Sequence, residues 1–136
     1  IMDDELFRAA VKGDINALSE KNIAKYGEAY YKDRTTPRKN NIVHIASDHG
    51  QAEFVKKALA RFPELGLGKN GNEDTPLHVA ARKGYDEIVR LIASFEGCDT
   101  AALAKNLQGD TPLHLALSNK KLSVAMLLLE VASVVA

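Results

Sequence analysis

The stretch DTPLHVAARKGYDEIVRLI, residues 74–92, has a counterpart in DTPLHLALSNKKLSVAMLL, residues 110–128. A chain that spells itself twice at such a spacing is confined to folds that stack like units along one axis. Aligned on the histidine, His78 and His114 are 36 positions apart, His44 lies 34 before His78, and a step of 37 further back lands on Phe7. Four units tile the chain, at approximately 3–35, 36–69, 70–105 and 106–136. An alanine follows two places after the histidine position in every unit (Ala9, Ala46, Ala80, Ala116), and a glycine six places after it in three (Gly13, Gly50, Gly84). The fourth unit has Lys120 there.

The residue choices within one unit have local physical reasons. Thr75 and Thr111 suit a helix N-cap, and Pro76 and Pro112 suit the first helical position, where no N–H is needed. His78 and His114, with His44 in the equivalent place, then fall at the third helical position. There a polar side chain reaches back to the cap as glutamate does in a capping box. Gly84 closes the helix in the left-handed conformation after about two turns, where Lys120 costs about 1–2 kcal/mol. Asp86 is expected to cap a second helix carrying Ile88, Val89, Leu91, Ile92 and Phe95 at helical spacing. Neither helix is long enough to be stable alone, so stability must come from stacking, with Ala80 and Ala81 allowing close approach. The polar runs KNGNED and KNLQGD supply hairpin-like loops between pairs.

The Thr-Pro-Leu-His-x-Ala signature, its trailing glycine and the period resemble the ankyrin repeat over nearly the whole chain. Units three and four carry the signature unaltered, unit two has NIVHIA, and unit one has Phe7 for histidine with Asp4-Glu5 for Thr-Pro, an atypical first unit of the kind expected of a cap. The fold class expected is an all-α solenoid of about four helix-turn-helix units forming a single domain. Residues 36–65 followed by the 74–92 unit further resemble plant ankyrin proteins of the accelerated-cell-death type. That resemblance implies an intracellular stack preceding a hydrophobic membrane region, acting in defence and cell-death signalling. It places the chain in the cytoplasm, at the cytoplasmic face of a membrane reached only through segments absent from this sequence.

Composition narrows the function. Eighteen Lys and Arg balance eighteen Asp and Glu, so no global field gathers nucleic acid. The single Cys98 rules out an internal disulfide and a thiolate zinc cluster and fits a reducing compartment. The longest apolar stretch, AMLLLEVASVVA, is short of the roughly 20 residues of a membrane span. Three acids in the first ten residues argue against a targeting segment. Starting at Ile1 and ending within an apolar run, the chain reads as part of something longer. Leu122, Met126, Leu127, Leu128, Leu129, Val131, Val134 and Val135 make its last segment apolar almost all round, so further repeats are expected after it.

Tempting chemistry dissolves on inspection. Equivalent histidines of stacked units lie on the order of 10 Å apart, whereas metal ligands must converge within about 2 Å of one ion. Gly66, Gly68, Lys69 and Gly71 lack the spacing of a phosphate loop and are expected to serve the turn between units. Cys98 has no neighbour to activate it. Residues 19–35, with Tyr26, Tyr30 and Tyr31, depart from the template as a lengthened connection whose tyrosines pack back on unit one, and Lys32, Arg34, Arg38 and Lys39 offer an acidic partner or a lipid headgroup an alternative docking place there. No nucleophile–base pair stands out, so the chain reads as a non-catalytic module with another protein as partner, without cofactor or small-molecule substrate. The alternative is the regulatory part of a membrane channel-like protein or of an enzyme whose working domain is absent. From the ankyrin resemblance, the partner surface falls on Asp48, His49, Arg82, Lys83, Ser118 and Asn119 of the first helices. The loop-tip residues Asn40, Asn72, Asp74, Gln108 and Asp110 extend it, and Arg82 is the first choice for a hot spot.

Overall fold

The computed structural model describes residues 1–135, the side chains as far as Ser133. Helix α1 (Asp4–Lys12) opens unit one, followed by a 3₁₀ turn at Ile15–Leu18 and two short helices, α2 (Glu20–Tyr26) and α3 (Glu28–Lys32). The later units are helix pairs: α4 (Ile42–Asp48) with α5 (Ala52–Arg61), α6 (Pro76–Lys83) with α7 (Asp86–Ser94), and α8 (Pro112–Ser118) with α9 (Leu122–Val135). The first helices α1, α4, α6 and α8 lie side by side in one layer, and α5, α7 and α9 form the second. No strand occurs among the described residues. The chain is an all-helical stack, built as the repeat demands.

Local chemistry starts each first helix. Thr75 Oγ1 accepts the N–H of His78, and His78 Nδ1 accepts the N–H of Thr75 at 3.0 Å. The same reciprocal pair joins Thr111 with His114 and Asn41 with His44. In unit two the signature has lost its threonine and proline, but Asn41 keeps the capping oxygen, accepting from Val43 and His44. Gly84 ends α6 with φ 77°, and Lys120 takes the same left-handed region with φ 59°. A Cβ on Gly84 would also lie 2.6 Å from the Lys121 side chain of the next unit. The glycine is therefore demanded twice, by the turn and by the unit stacked over it.

Five-residue loops join the pairs. In each, the first N–H donates to the fifth carbonyl: Thr36 to Asn40 at 3.1 Å, Asn70 to Asp74 at 3.0 Å and Asn106 to Asp110 at 2.9 Å. The fourth residue is left-handed in all three: Lys39, Glu73 and Gly109. Neighbouring loops are tied by Gly71 N–H to the Arg38 carbonyl at 2.8 Å and Leu107 N–H to the Asn72 carbonyl at 3.0 Å. A continuous apolar core runs along the stack from Met2 to Leu128, and Ala46, Ala80 and Ala116 are completely buried where the first helices touch.

Three expectations need correction. Asp86 is the first residue of α7, not its cap, because the Tyr85 carbonyl already accepts the Val89 N–H; the Asp86 carboxylate instead accepts from Ser123 Oγ at 2.9 Å. Helix α1 begins one residue earlier than the frame predicts, since the Asp3 carboxylate caps it by accepting the Leu6 N–H. Phe7 consequently occupies the fourth helical position. Residues 19–35 are largely helical: Ser19 caps α2 through the Asn22 N–H, and Tyr31 anchors the segment by burial. The glycines at 66, 68 and 71 stand in the connection between units two and three, Gly71 in the turn itself; none has positive φ, and Gly66 lies against Cys98 Sγ and Leu59. Val134 and Val135, counted in the apolar last segment, have side chains outside the described residues.

Candidate functional site

Helices α1, α4 and α6 and the loops above them enclose a groove of roughly 690 Å³. Its apolar lining is Phe7, Ile45 and Val79; Arg38, Asn40, Asn70, Asn72, Asp48, His49 and Arg82 supply polar groups. Six of the residues expected on a partner surface meet here: Asn40, Asp48, His49, Asn72, Asp74 and Arg82. Lys83 stands outside the lining but pairs with Asp48 at 3.3 Å, and the same carboxylate lies 3.7 Å from His49. Gln108, Asp110, Ser118 and Asn119 belong to unit four and are not part of the groove. There Ser118 Oγ donates to the His114 carbonyl at 2.8 Å and Asn119 Nδ2 to the Leu115 carbonyl at 2.7 Å, both back onto their own helix.

Asp74 is not an exposed loop tip. Its residue is 3% exposed, and its carboxylate accepts from Asn106 Nδ2 and Arg82 Nη2, each at 3.0 Å. Burial pushes the carboxyl up, but the bonds from Asn106 and Arg82 outweigh it and hold the group below its ordinary range. Arg82 is in turn no free cation, because one side of its guanidinium neutralises a buried charge. Arg82 thus faces the groove with its guanidinium already engaged by Asp74, and Phe7 and Arg38 line the same groove. Phe7 is 40% exposed at the groove's edge, and Arg38 is exposed with no ion pair among the described residues. The sequence held a sign of Phe7: it stands where the other units carry histidine. Arg38 lies outside the signature, in the basic run that the sequence marks as an alternative docking place.

His44 and His78 use both ring nitrogens on backbone. His44 Nε2–H donates to the Asp74 carbonyl at 2.8 Å and His78 Nε2–H to the Asp110 carbonyl at 2.9 Å, each reaching the next unit. With Nδ1 accepting from the cap, the neutral ring is the form that fits. Burial pushes His44 down to about 4, the Asp74 carbonyl pulling partly back, and burial lowers His78 as well. Among the described residues no cluster of His, Cys, Asp and Glu is arranged to hold a metal ion. Cys98 is fully buried, and burial raises its thiol. No described helix is long and apolar enough to cross a membrane.

Two comparisons with known proteins agree with this geometry. Residues 6–102 and 43–135 match the family model described as ankyrin repeats in three copies. Over 66 residues the chain is 39% identical to the protein Accelerated Cell Death 6 of Arabidopsis thaliana, a match covering 48% of this chain and 9% of that relative. Helix pairs capped by Thr-Pro-Leu-His, joined by hairpin-like loops and matched by that model along nearly their whole length, leave one conclusion: the chain belongs to the ankyrin-repeat family.

Proposed function

We propose that this ankyrin stack is a non-catalytic scaffold for protein–protein interaction that holds a protein partner in the groove between its loop tips and first helices. The observation that carries the reading is the groove itself, lined by an exposed aromatic edge at Phe7, by the guanidinium of Arg38, which has no ion pair among the described residues, and by the Asp48–His49 pair. An aromatic anchor ringed by polar groups is the composition of a binding hot spot. The similarity to Accelerated Cell Death 6 supports a role in plant defence or cell-death signalling, in the cytoplasm at a membrane face.

The test is site-specific photocrosslinking in cells. A photoreactive residue replacing His49 in the groove should capture a discrete protein, and one replacing the exposed Arg90 of α7, away from the groove, should not. Phe7→Ala should remove the capture at position 49 with little change in thermal unfolding. Capture from position 90 alone, or capture at 49 indifferent to Phe7→Ala, sinks the reading.

A further inference from the structure

Three lateral ladders run from unit to unit, and all three stop at unit four. In the first, a histidine Nε2–H donates to the carbonyl thirty or more residues ahead: His44 to Asp74, His78 to Asp110. In the second, a loop asparagine donates back to the side chain of the preceding loop: Asn70 to Asn40 at 2.8 Å, Asn106 to Asp74 at 3.0 Å. In the third, a backbone N–H reaches the preceding loop's carbonyl: Gly71 to Arg38, Leu107 to Asn72. The next rungs fall on His114 Nε2, the Asp110 carboxylate and the Gln108 carbonyl. None of these three has a partner among the described residues.

Packing tells the same story. Leu117 occupies the place of Ser47 and Ala81, both fully buried by the following unit, yet it is 51% exposed. Leu129 occupies the place of Leu59, which is fully buried, and is 54% exposed. A stack that ended here would be expected to present polar residues at these positions. From the ladders and the packing together we infer that this face is the seat of a further helix-turn-helix unit, supplied by chain beyond Ala136. Its loop asparagine meets Asp110, its loop backbone meets Gln108, and a carbonyl before its own helix cap meets His114. Lys120 adds a constraint. Gly13, Gly50 and Gly84 lie under Gln51, Tyr85 and Lys121 of the next unit, and Lys120 holds that place in unit four. The incoming unit therefore meets a lysine there in place of a glycine. A second copy of the chain would cover the leucines but has no reason to meet the three polar rungs in register.

The experiment compares residues 1–136 with the same chain carried through the next 40 or so residues of its own gene, about one repeat plus a margin. Imidazole nitrogen NMR should show His114 Nε2–H free in the shorter chain and hydrogen-bonded in the longer. Amide exchange should find the added residues protected, with that protection lost in Leu117→Lys. The Leu117→Lys change should leave the shorter chain's unfolding midpoint unmoved, since that side chain is already exposed, which separates loss of docking from loss of folding. Three results overturn the inference: a gene that stops at Ala136, added residues that exchange as freely as unfolded chain, or protection that survives Leu117→Lys and His114→Ala together. Concentration-dependent dimers of the longer chain abolished by Leu117→Lys, with His114 still free, assign the face to a second copy and overturn it as well.

Discussion

At the N-terminal end of the stack, α2 and α3 fold back on unit one and bring Tyr31 to near-complete burial, its ring stacked on Phe62 at 5.5 Å and its hydroxyl donating to the Ala17 carbonyl. At the C-terminal end, α8 and α9 turn Leu117, Leu122, Met126 and Leu129 outward. The first end is also sewn down by charge: Arg61 of unit two reaches Glu20 at 3.0 Å and Glu28 at 2.8 Å, and Tyr30 donates to the Asp3 carboxylate at 2.8 Å. A repeat stack needs its ends treated differently from its middle, because the surface that glues units together is a liability where no unit follows. The departures from the repeat template in residues 19–35 therefore fasten unit one to unit two, whereas unit four keeps to the template and leaves its leucines outward.

The contrast can be broken most directly by truncation. Tyr31→Ala should cost about 3–5 kcal/mol in urea unfolding, the range for a large aromatic removed from a core. Met126→Ala, at the open end, should stay within about 0.5 kcal/mol. Equal costs at the two positions would show that the ends are not distinct. Arg82→Ala comes next, at about 1–3 kcal/mol, because it strands the buried Asp74 carboxylate; the side chain's 36% exposure keeps the loss below that of a deeply buried pair. Reversal of charge at Arg82 should unfold the protein more readily still, so it cannot serve as a silent surface change.

Histidine sharpens the comparison further. His44→Ala loses a cap and an inter-unit bond, about 1–2 kcal/mol, whereas His114→Ala loses the cap alone, nearer 0.5–1 kcal/mol. The pH dependence follows from the depressed value of His44. Folding favours the neutral ring, so its contribution is complete above the ordinary 6.5 and drains away as pH falls towards about 4. Unfolding midpoints measured across that window should fall steeply in the native chain and less steeply in His44→Ala. The smallest effect expected is a gain: Lys120→Gly relieves a left-handed lysine and should stabilise by about 0.5–1 kcal/mol once the added freedom of the unfolded glycine is counted. A loss there would mean that the lysine side chain makes contacts outweighing its backbone strain.

What the sequence displayed was the chemistry inside a unit. Thr75, Pro76 and His78 specify a helix start within four residues, and Gly84 its end, so their meaning is local and visible in one line of text. The one-residue slip of α1 escaped because Asp3 competes as a cap with the position the repeat frame assigns, and aspartate is as good a cap as threonine. The helices of residues 19–35 escaped because neither is long enough to show a full apolar period, and Tyr31 is held by tertiary burial. Least legible were the links across units. Asp74 looks like a solvent-facing turn residue until Asn106, 32 positions away, is seen to donate to it. The groove was half legible for the same reason: the signature marks helix ends, while Phe7 and Arg38 lie where the signature fails or has nothing to say.

Asp74 binds three consecutive units at once, its carbonyl to His44 behind, its carboxylate to Arg82 within and to Asn106 ahead. Such a residue limits how the gene can be rearranged. Recombination that spliced unit three beside a neighbour lacking the asparagine would bury a carboxylate with one partner fewer, and splicing it behind a unit lacking the histidine would lose the forward bond. Units two to four are thus joined as a bonded trio, and duplication or loss is expected to be tolerated at the outer margins of that trio before it is tolerated inside.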